Sequence, residues 1–410
     1  MTSLLTIASL LDNERGRPSA PEGQWRIQMI RARSLMRSTT SETRVTRLEL
    51  FFDLVFVFAL SQLSHHLLEH PSWVGAGETL VLLLGVYKVW VYTTWSATLL
   101  DTSRLKVQWM LLIIMLLSLF MNASISSAFG VFGWLFAASY LLIQLGRGAW
   151  MLTVGLDRTT HNHFVRTLIW GCMSAPFWTA GVFFGPEPRL MFWGVAAAID
   201  LGGHMLAHRL PGRKTEGSHV PLPGERIFER FALFYLIALG ETILSTGLAI
   251  SGNLEDPLIL LTGTVSLAGS VAIWWCYFQS LERETLEKLV SVDDQFRHGI
   301  LAGNTMLVLL AGLILVAVGD LLVISEPAAH PDLALILFLY GGPALFLAAR
   351  GVFIRRVLGR RPLSDLGGIV ALAILANLSF LLPAFVAAVG AVLPLVGVAV
   401  SDAAKRRGRT

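Results

Sequence analysis

Long apolar runs separated by short polar segments make up most of this chain. Each run contains about 20 residues, the length that an α-helix needs to cross the hydrocarbon core of a bilayer. The pattern predicts twelve helical spans. They lie at about 48–68, 74–98, 106–125, 130–151, 165–185, 189–208, 228–250, 257–279, 299–322, 333–354, 366–382 and 384–400, as the length requirement sets them.

Composition places the chain among membrane proteins. Of its 410 residues, 54% are hydrophobic and 15% are charged, whereas soluble domains carry about 25% charged residues. The mean hydropathy is +0.63. We therefore expect an all-α, polytopic transmembrane bundle in the inner (plasma) membrane of the cell, with the lipid bilayer as a partner. Cys172 and Cys276 lie in apolar runs, so neither a disulfide framework nor a cysteine metal site is expected.

The positions of lysine and arginine predict how the spans are oriented. Cytoplasmic loops hold most of these residues in membrane proteins. With the N-terminus inside, all but two of the 32 fall in the tails or in alternate loops. The exceptions are Arg189, in an outer loop, and Lys88, within a span. Both termini are therefore expected to be cytoplasmic.

Two similar stretches suggest an internal repeat. Span 1 contains FALSQLS and span 7 contains IALGETILS, and the acidic residues Glu49 and Glu229 precede them near the cytoplasmic mouth. Because six spans separate the stretches, the two halves would have the same orientation, an arrangement that is common in transporters. The predicted organisation is a basic N-terminal tail (1–46), a six-helix half (47–210), a connector (211–227), a second half (228–401) and a basic C-terminal tail (402–410).

Ionisable residues inside the spans are the candidate functional groups. A charge at the bilayer centre costs at least about 2.5–3.5 kcal/mol on insertion scales, so such residues should face the bundle interior and have partners. Glu49 and Asp53 are four residues apart and share one face of span 1. Either they belong to an internal polar pathway, or they form a structural ion pair that fixes span 1 against span 7, with Arg230 as the cation.

Lys88 and Glu241 are expected near mid-depth, in spans 2 and 7. A lysine beside a carboxylate keeps its proton, so we hypothesise a contact between Lys88 and Glu241, with Asp53 or Asp200 as the competing partner of Lys88. Tyr92, four residues after Lys88, would line the same helix face.

Asp200, His204 and His208 form a polar stripe on span 6, at positions i, i+4 and i+8. A carboxylate next to an imidazole, which titrates near physiological pH, favours a proton or cation path. Two histidines and an aspartate could also hold zinc, which makes His204 and His208 weak metal candidates. Alternatively, His204 is hydrogen-bonded in the core and His208 lies at the interface. His298, at the start of span 9, is expected at the cytoplasmic mouth.

Several enzyme classes find no support in the sequence. It contains no G-x-x-x-x-G-K-[ST] phosphate loop, no H-E-x-x-H motif and no G-x-S-x-G elbow. No catalytic residue and no cofactor are predicted, and no loop is long enough for a soluble catalytic domain. Topology explains the positive charge, so nucleic-acid binding is not expected.

Six stretches resemble the bacterial low-temperature-requirement A family. They follow the family order along nearly the whole chain, and several place charged residues in apolar surroundings. The resemblance implies an integral membrane protein and a family name drawn from growth in the cold, and it implies no particular substrate or reaction. The stretches are ELFFDLVFVFALSQLSH (49–65), VYTTWSATLLD (91–101), ERFALFYLIALGETIL (229–244), WWCYF (274–278), RHGILAG (297–303) and YGGPALFL (340–347).

Three functions remain open at this point. The first is a secondary transporter or ion-conducting protein with an internal polar pathway between the halves. The second is an intramembrane enzyme that acts on a lipid or another apolar substrate. The third is a non-transporting membrane factor that supports growth in the cold or under stress. The substrate or ion and the oligomeric state are left open. The pathway residues of the first hypothesis are Asp53, Lys88, Asp200, His204 and Glu241.

Overall fold

The computed structural model describes residues 35–36, 45–206, 208, 224–282 and 295–407. Most of the N-terminal tail, most of the connector expected at 211–227 and the segment 283–294 lie outside these residues.

Twelve α-helices are present in the described part of the chain, and each corresponds to one predicted span. The largest shift at a start is in α5, which begins at Arg158, seven residues before the predicted start at 165. The Asp157 carboxylate explains this start, because it accepts hydrogen bonds of 3.1 Å from the backbone N–H groups of Thr159 and Thr160. The helices are α1 (Arg47–Glu69), α2 (Trp73–Leu99), α3 (Leu105–Ala123), α4 (Gly133–Met151), α5 (Arg158–Val182), α6 (Pro186–Met205), α7 (Gly224–Ser251), α8 (Pro257–Cys276), α9 (Gln295–Ser325), α10 (Leu333–Phe353), α11 (Leu363–Ser379) and α12 (Ala384–Arg407).

Eight helices of the described chain are long and apolar enough to cross a membrane: α1, α2, α3, α7, α8, α9, α10 and α12. Helix α11 is apolar but has 17 residues. Helices α4, α5 and α6 are less apolar because they carry buried polar side chains, including Arg147, His163 and Asp200. The all-helical membrane architecture is thus confirmed, while the count of twelve spans and the cytoplasmic termini stay predictions.

Capping explains why the first apolar helix begins with an acidic residue. The Thr46 hydroxyl accepts from the Glu49 backbone N–H at 3.4 Å. The Glu49 carboxylate in turn accepts from the Thr46 backbone N–H at 2.8 Å. This reciprocal capping box fixes the start of α1 and leaves the carboxylate of Glu49 buried beside α7.

The helices of residues 47–205 contact one another in the same order as the helices of residues 224–407. In the first set, α1 packs on α2 and α3, α2 packs on α6, and α3 to α6 pack in sequence. In the second set, α7 packs on α8 and α9, α8 packs on α12, and α9 to α12 pack in sequence. The two sets meet where α1 and α2 contact α7 and α9.

Close backbone contact joins α9 to α10. A Cβ atom on Gly342 would lie 2.8 Å from the Gly312 carbonyl oxygen and 2.8 Å from the Val316 backbone nitrogen. Only glycine fits at this crossing, because small residues let membrane helices approach each other closely.

A buried arginine ties four helices of the second set together. Arg350 on α10 is 1% exposed. Its Nε donates to the Cys276 carbonyl on α8 at 3.1 Å. Its two terminal nitrogens pair with Asp365 on α11 and Asp402 on α12. Removing this arginine would leave buried carboxylates without their cation, so we assign it a structural role.

Candidate functional site: a buried ion pair between α2 and α6

Lys88 and Asp200 form an ion pair between α2 and α6. Lys88 is 7% exposed and Asp200 is 5% exposed. Helix α2 places the lysine in the interior because it packs against α1, α4, α6, α7 and α9. The sequence offers Glu241, Asp53 or Asp200 as the partner of Lys88. In the structure the partner is Asp200.

Two further donors hold the same carboxylate. The Tyr140 hydroxyl on α4 donates to Asp200 Oδ2 at 2.5 Å. The Trp178 indole N–H on α5 donates to the same oxygen at 3.0 Å. Together with the Lys88 ammonium group, these donors match an ionised carboxylate, which only accepts hydrogen bonds. Asp200 thus joins α2, α4, α5 and α6 at one point.

A chain of exchangeable groups continues from the ion pair towards the C-terminal end of α6. Tyr92 lies one helical turn beyond Lys88, and the Lys88 ammonium is 5.9 Å from its ring centre. The Tyr92 hydroxyl is 3.3 Å from Nδ1 of His204 and 2.7 Å from Nε2 of His208. His204 Nε2 and His208 Nδ1 are buried and have no hydrogen-bond partner among the described residues. We name Lys88, Tyr92, Tyr140, Asp200 and His204 the polar centre.

Arg147 supports the Tyr92 side of the polar centre. Its guanidinium group lies 5.5 Å from the Tyr92 ring centre, a cation–π contact. It donates to the Thr93 hydroxyl at 3.0 Å and to the Gln144 side chain. The charge count places Arg147 with the cytoplasmic loop residues, whereas the structure buries it within α4, where it is 4% exposed.

Two adjoining cavities border the polar centre. The first has room for about one water molecule and is lined by Lys88, Tyr92, Asp200, His204 and Asn304, among others. The second is smaller. Tyr92 and His204 line both, so the two spaces meet at these side chains.

Aromatic rings close the opposite side, towards the N-terminal end of α6. Trp193 lies 5.4 Å from Trp178 and 5.3 Å from Phe129, measured between ring centres. Phe136 lies 5.6 Å from Trp193. The Trp193 N–H donates to the Trp178 carbonyl at 2.9 Å. We name Phe129, Phe136, Trp178 and Trp193 the aromatic cluster.

Helix α9 completes the wall of the polar centre. The Tyr87 hydroxyl on α2 donates to the Gly303 carbonyl. A Cβ atom on Gly303 would lie 3.3 Å from this hydroxyl and 3.8 Å from His204 Nε2. Gly303 belongs to the stretch RHGILAG, so this stretch contacts the polar centre through its glycine.

A second, separate cluster of charges joins α1 to α7. Arg226 pairs with Glu49 at 2.5 Å, and Arg230 pairs with Asp53 at 2.7 Å. The Trp90 N–H also donates to Asp53 at 2.8 Å. All four charged side chains are at most 1% exposed. These contacts agree with the alternative in which Glu49 and Asp53 form structural ion pairs between spans 1 and 7. Two guanidinium groups balance the two carboxylates.

The remaining sequence candidates lie away from the polar centre. Glu241 on α7 is half-buried, and the Ser245 hydroxyl donates to it at 3.3 Å. The hypothesis that Glu241 contacts Lys88 is wrong, because the partner of Lys88 is Asp200. Glu229 and His298 are half-buried, on α7 and near the start of α9. Among the described residues, no group of three or more His, Cys, Asp and Glu side chains could hold a metal ion.

Comparison with known proteins identifies the family. The family model "Bacterial low temperature requirement A protein (LtrA)" matches residues 44–400. The chain belongs to the LtrA family. The resemblance of the six sequence stretches is thereby confirmed, and the protein is a multi-pass membrane protein of helical architecture.

One curated relative is similar to this LtrA-family chain over most of its length. It is the "Uncharacterized protein RA0937" of Rhizobium meliloti (strain 1021), which is 33% identical over 359 residues, covering 86% of each chain. No solved structure matches this chain.

Several residues of the polar centre and its cavity are not ionised at neutral pH and carry no charge signal in the sequence. Tyr140, Trp178 and Asn304 are neutral, so a count of ionisable groups does not find them. The signal that was available is general: a buried tyrosine or tryptophan usually finds a hydrogen-bond partner. Asp320 lies two residues before the predicted end of span 9 at 322, whereas α9 continues to Ser325 and this carboxylate is buried.

Proposed function

We propose that this LtrA-family protein is a proton-coupled secondary transporter whose coupling site is the Lys88–Asp200 pair. One observation carries the proposal: a nearly fully buried ion pair borders a cavity that is also lined by Tyr92, and the Tyr92 hydroxyl contacts two histidines. Burying two charges costs several kcal/mol for each ion, roughly, before their attraction is counted. Ionisable residues within a membrane typically mark ion pathways and proton relays.

The chemistry of the step follows from the donors around Asp200. When the carboxylate takes a proton from a hydronium ion in the adjoining cavity, one O–H bond forms at Asp200, one O–H bond of the hydronium ion breaks to leave water, and the ionic attraction to the Lys88 ammonium is lost. Asp200 would then hold α6 less tightly against α2. Tyr92, His204 and His208 are groups that can pass a proton between the C-terminal end of α6 and the ion pair.

The two sides of the polar centre differ in a way that supports alternating access. The side towards the α6 C-terminus has the histidines and the second cavity. The aromatic cluster covers the other side. With the orientation that the basic loops predict, the histidine side is cytoplasmic and the aromatic cluster closes the outer side. The cavity beside Lys88 and Asp200 has room for water or a small ion. We therefore regard this conformation as a closed state of the transporter.

Two parallel six-helix halves, at 47–210 and 228–401, are part of the proposal. The repeated packing order of α1 to α6 and α7 to α12 supports them. So do matched short sequences in corresponding helices: Trp90-Val91-Tyr92 with Trp275-Cys276-Tyr277, and Arg147-Gly148 with Arg350-Gly351. In addition, Arg350 joins α8, α10, α11 and α12, the counterparts of the helices that meet at Asp200. Transporters with parallel repeats often bind substrate between the halves.

The charged cluster between α1 and α7 has a different role in this proposal. Its charges pair with one another, and none of its four residues lines the two cavities beside the polar centre. We propose that Glu49, Asp53, Arg226 and Arg230 fix the two halves together at their contact.

Flux through reconstituted protein tests the proposal. Purified protein is placed in liposomes that contain a pH-sensitive dye, and a proton gradient is imposed together with a potassium–valinomycin potential. We expect the wild type to dissipate the gradient faster than empty liposomes. Asp200→Asn and Lys88→Met should fall to the empty-liposome rate, because each removes one member of the pair.

Glu241→Gln is the matched control. It also neutralises a carboxylate within the membrane-crossing region, but this carboxylate lies outside the polar centre. Its flux should equal that of the wild type. A wild type that moves no protons, or an Asp200→Asn variant that moves them at the wild-type rate, would overturn the proposal and leave a non-transporting membrane factor.

A further inference from the structure

Asp320 is a buried carboxylate that neither the polar centre nor the α1–α7 cluster uses. It lies on α9 and is 8% exposed. Its Oδ2 atom is buried without a hydrogen-bond partner, and no ion pair is formed by this residue within the described chain. An ionised group buried in this way needs a compensating charge or a proton, because desolvation of an unpaired charge is costly.

A small cavity, with room for about one water molecule, adjoins this carboxylate, and α8, α9, α10 and α12 line it. Helix α8 contributes Ser266, α9 contributes Asp320, α10 contributes Leu339 and Pro343, and α12 contributes Ala391 and its neighbours. Asp320 is the one ionisable group in this lining, so the described walls supply no cation to balance it.

Two further oxygen atoms are candidates to share a ligand with Asp320. The hydroxyl of Ser266 is buried, lies beside Asp320 in the same cavity and has no other hydrogen-bond partner among the described residues. Pro343 has no backbone N–H, so the carbonyl of Leu339, four residues before it, loses its usual helical partner. Helix α10 runs continuously through Pro343, so this carbonyl stays within the helix without its usual N–H partner.

We infer that this cavity binds a small monovalent cation, with the Asp320 carboxylate, the Ser266 hydroxyl and the Leu339 carbonyl as its oxygen ligands. Hard cations prefer oxygen ligands of these three kinds. A single carboxylate balances a single positive charge, whereas a divalent ion would leave a net charge buried among apolar side chains. The inference does not rest on the proposed function, because it involves neither Lys88 nor Asp200.

Cation-dependent thermal unfolding tests this site. The full-length protein in detergent is heated at pH 8 while its tryptophan fluorescence is recorded, with sodium chloride replacing choline chloride at constant ionic strength. A ligand that binds only the folded protein raises the midpoint of unfolding. We expect a saturable rise with sodium in the wild type and none in Asp320→Asn.

Ser266→Ala is a second variant of the proposed site, and it tests sodium binding even if Asp320→Asn does not fold. Loss of one oxygen ligand should weaken sodium binding about tenfold, which corresponds to ~1.4 kcal/mol. Glu241→Gln is the matched carboxylate control and should keep the full response. Equal unfolding curves in sodium and choline for the wild type would overturn the inference. A full sodium response in Asp320→Asn or in Ser266→Ala would overturn it as well.

Direct binding gives an independent readout. Radioactive sodium retained by the purified wild type should be displaced by unlabelled sodium and absent from Asp320→Asn. This result can be obtained whether or not the protein moves protons in liposomes. Failure of the cation site and failure of the proposed transport are therefore distinguishable.

Discussion

Lys88 of α2 and Asp200 of α6 are joined in an ion pair that is almost completely buried within an apolar helical bundle. Tyr140 and Trp178 donate to the same carboxylate, so four helices meet at one charged group. Such an arrangement strongly links the stability of the bundle to the charge state of two residues.

A double-mutant cycle on the pair should show this coupling. Lys88→Met or Asp200→Asn alone leaves the other charge buried, and each should lower stability by about 3–5 kcal/mol. Combining both should recover much of the loss, because no unpaired charge remains. Thermal unfolding of the four proteins in detergent measures the coupling, and strictly additive losses would show that the two residues do not act as a pair.

Opening the aromatic cluster should produce a leak. Trp193→Ala removes the ring that lies 5.4 Å from Trp178 and leaves a gap beside this tryptophan, whose N–H donates to Asp200. We expect a faster passive proton leak in liposomes than in the wild type. Because a buried tryptophan-to-alanine change costs about 3–5 kcal/mol, the flux is compared per amount of folded protein.

The control for this leak is Trp109→Ala on α3. Trp109 is 58% exposed on the outer surface of the bundle, so its removal should leave the leak unchanged. A Trp193→Ala variant with the wild-type leak would mean that the aromatic cluster does not close a path.

Arg230 should be essential for the contact between α1 and α7. Arg230→Met leaves Asp53 buried with the Trp90 N–H as its remaining donor, and we expect a loss of about 3–5 kcal/mol. Arg230→Lys should recover part of it, since lysine keeps the charge but not the planar fork of arginine. Thermal unfolding again measures the effect. If Arg230→Met unfolds at the wild-type temperature, the cluster does not fix the two helices together.

Asp157 should make the start of α5 sensitive to acid. Partial burial acts to raise the pKa of this carboxyl, but hydrogen bonds from Thr160 and Thr159 outweigh it and hold the pKa below its usual value. The cap is therefore fully effective above the ordinary aspartate pKa and weakens as the pH falls through the lowered value. Hydrogen exchange of residues 158–162 should accelerate in acid, and Asp157→Ala should cost about 0.5–2 kcal/mol and remove this pH dependence.

Apolar run length predicts the elements of this fold well, because the hydrocarbon core imposes one length on every crossing helix. All twelve predicted spans correspond to helices, including the pair that Pro383 separates. The prediction is poorest at helix starts such as Arg158, where a single capping side chain decides the boundary. Run length also says nothing of which helices are neighbours.

The candidate site was predictable in its members but not in its contacts. The free-energy cost of a charge in the membrane correctly predicts that Lys88 and Asp200 are buried in the bundle. This cost does not decide whether Asp200 or Glu241 is the partner of Lys88. That choice depends on which faces of α2, α6 and α7 meet, and a single sequence does not contain this information. The charge pattern groups Arg147 with the loop residues. In the structure Arg147 is buried, because its guanidinium group contacts the Tyr92 ring and donates to the Thr93 hydroxyl.

Sided thiol labelling at Asn304 tests most directly whether the interior beside Lys88 and Asp200 opens to water. Asn304→Cys is made in a chain whose two native cysteines, Cys172 and Cys276, are replaced by alanine. A small charged thiol reagent is added to right-side-out vesicles and to inside-out vesicles. The account predicts labelling from both sides in the protein with an intact ion pair, as the cavity opens first to one side and then to the other. A cysteine that reacts from neither side, yet reacts after the protein is unfolded in detergent, would contradict it.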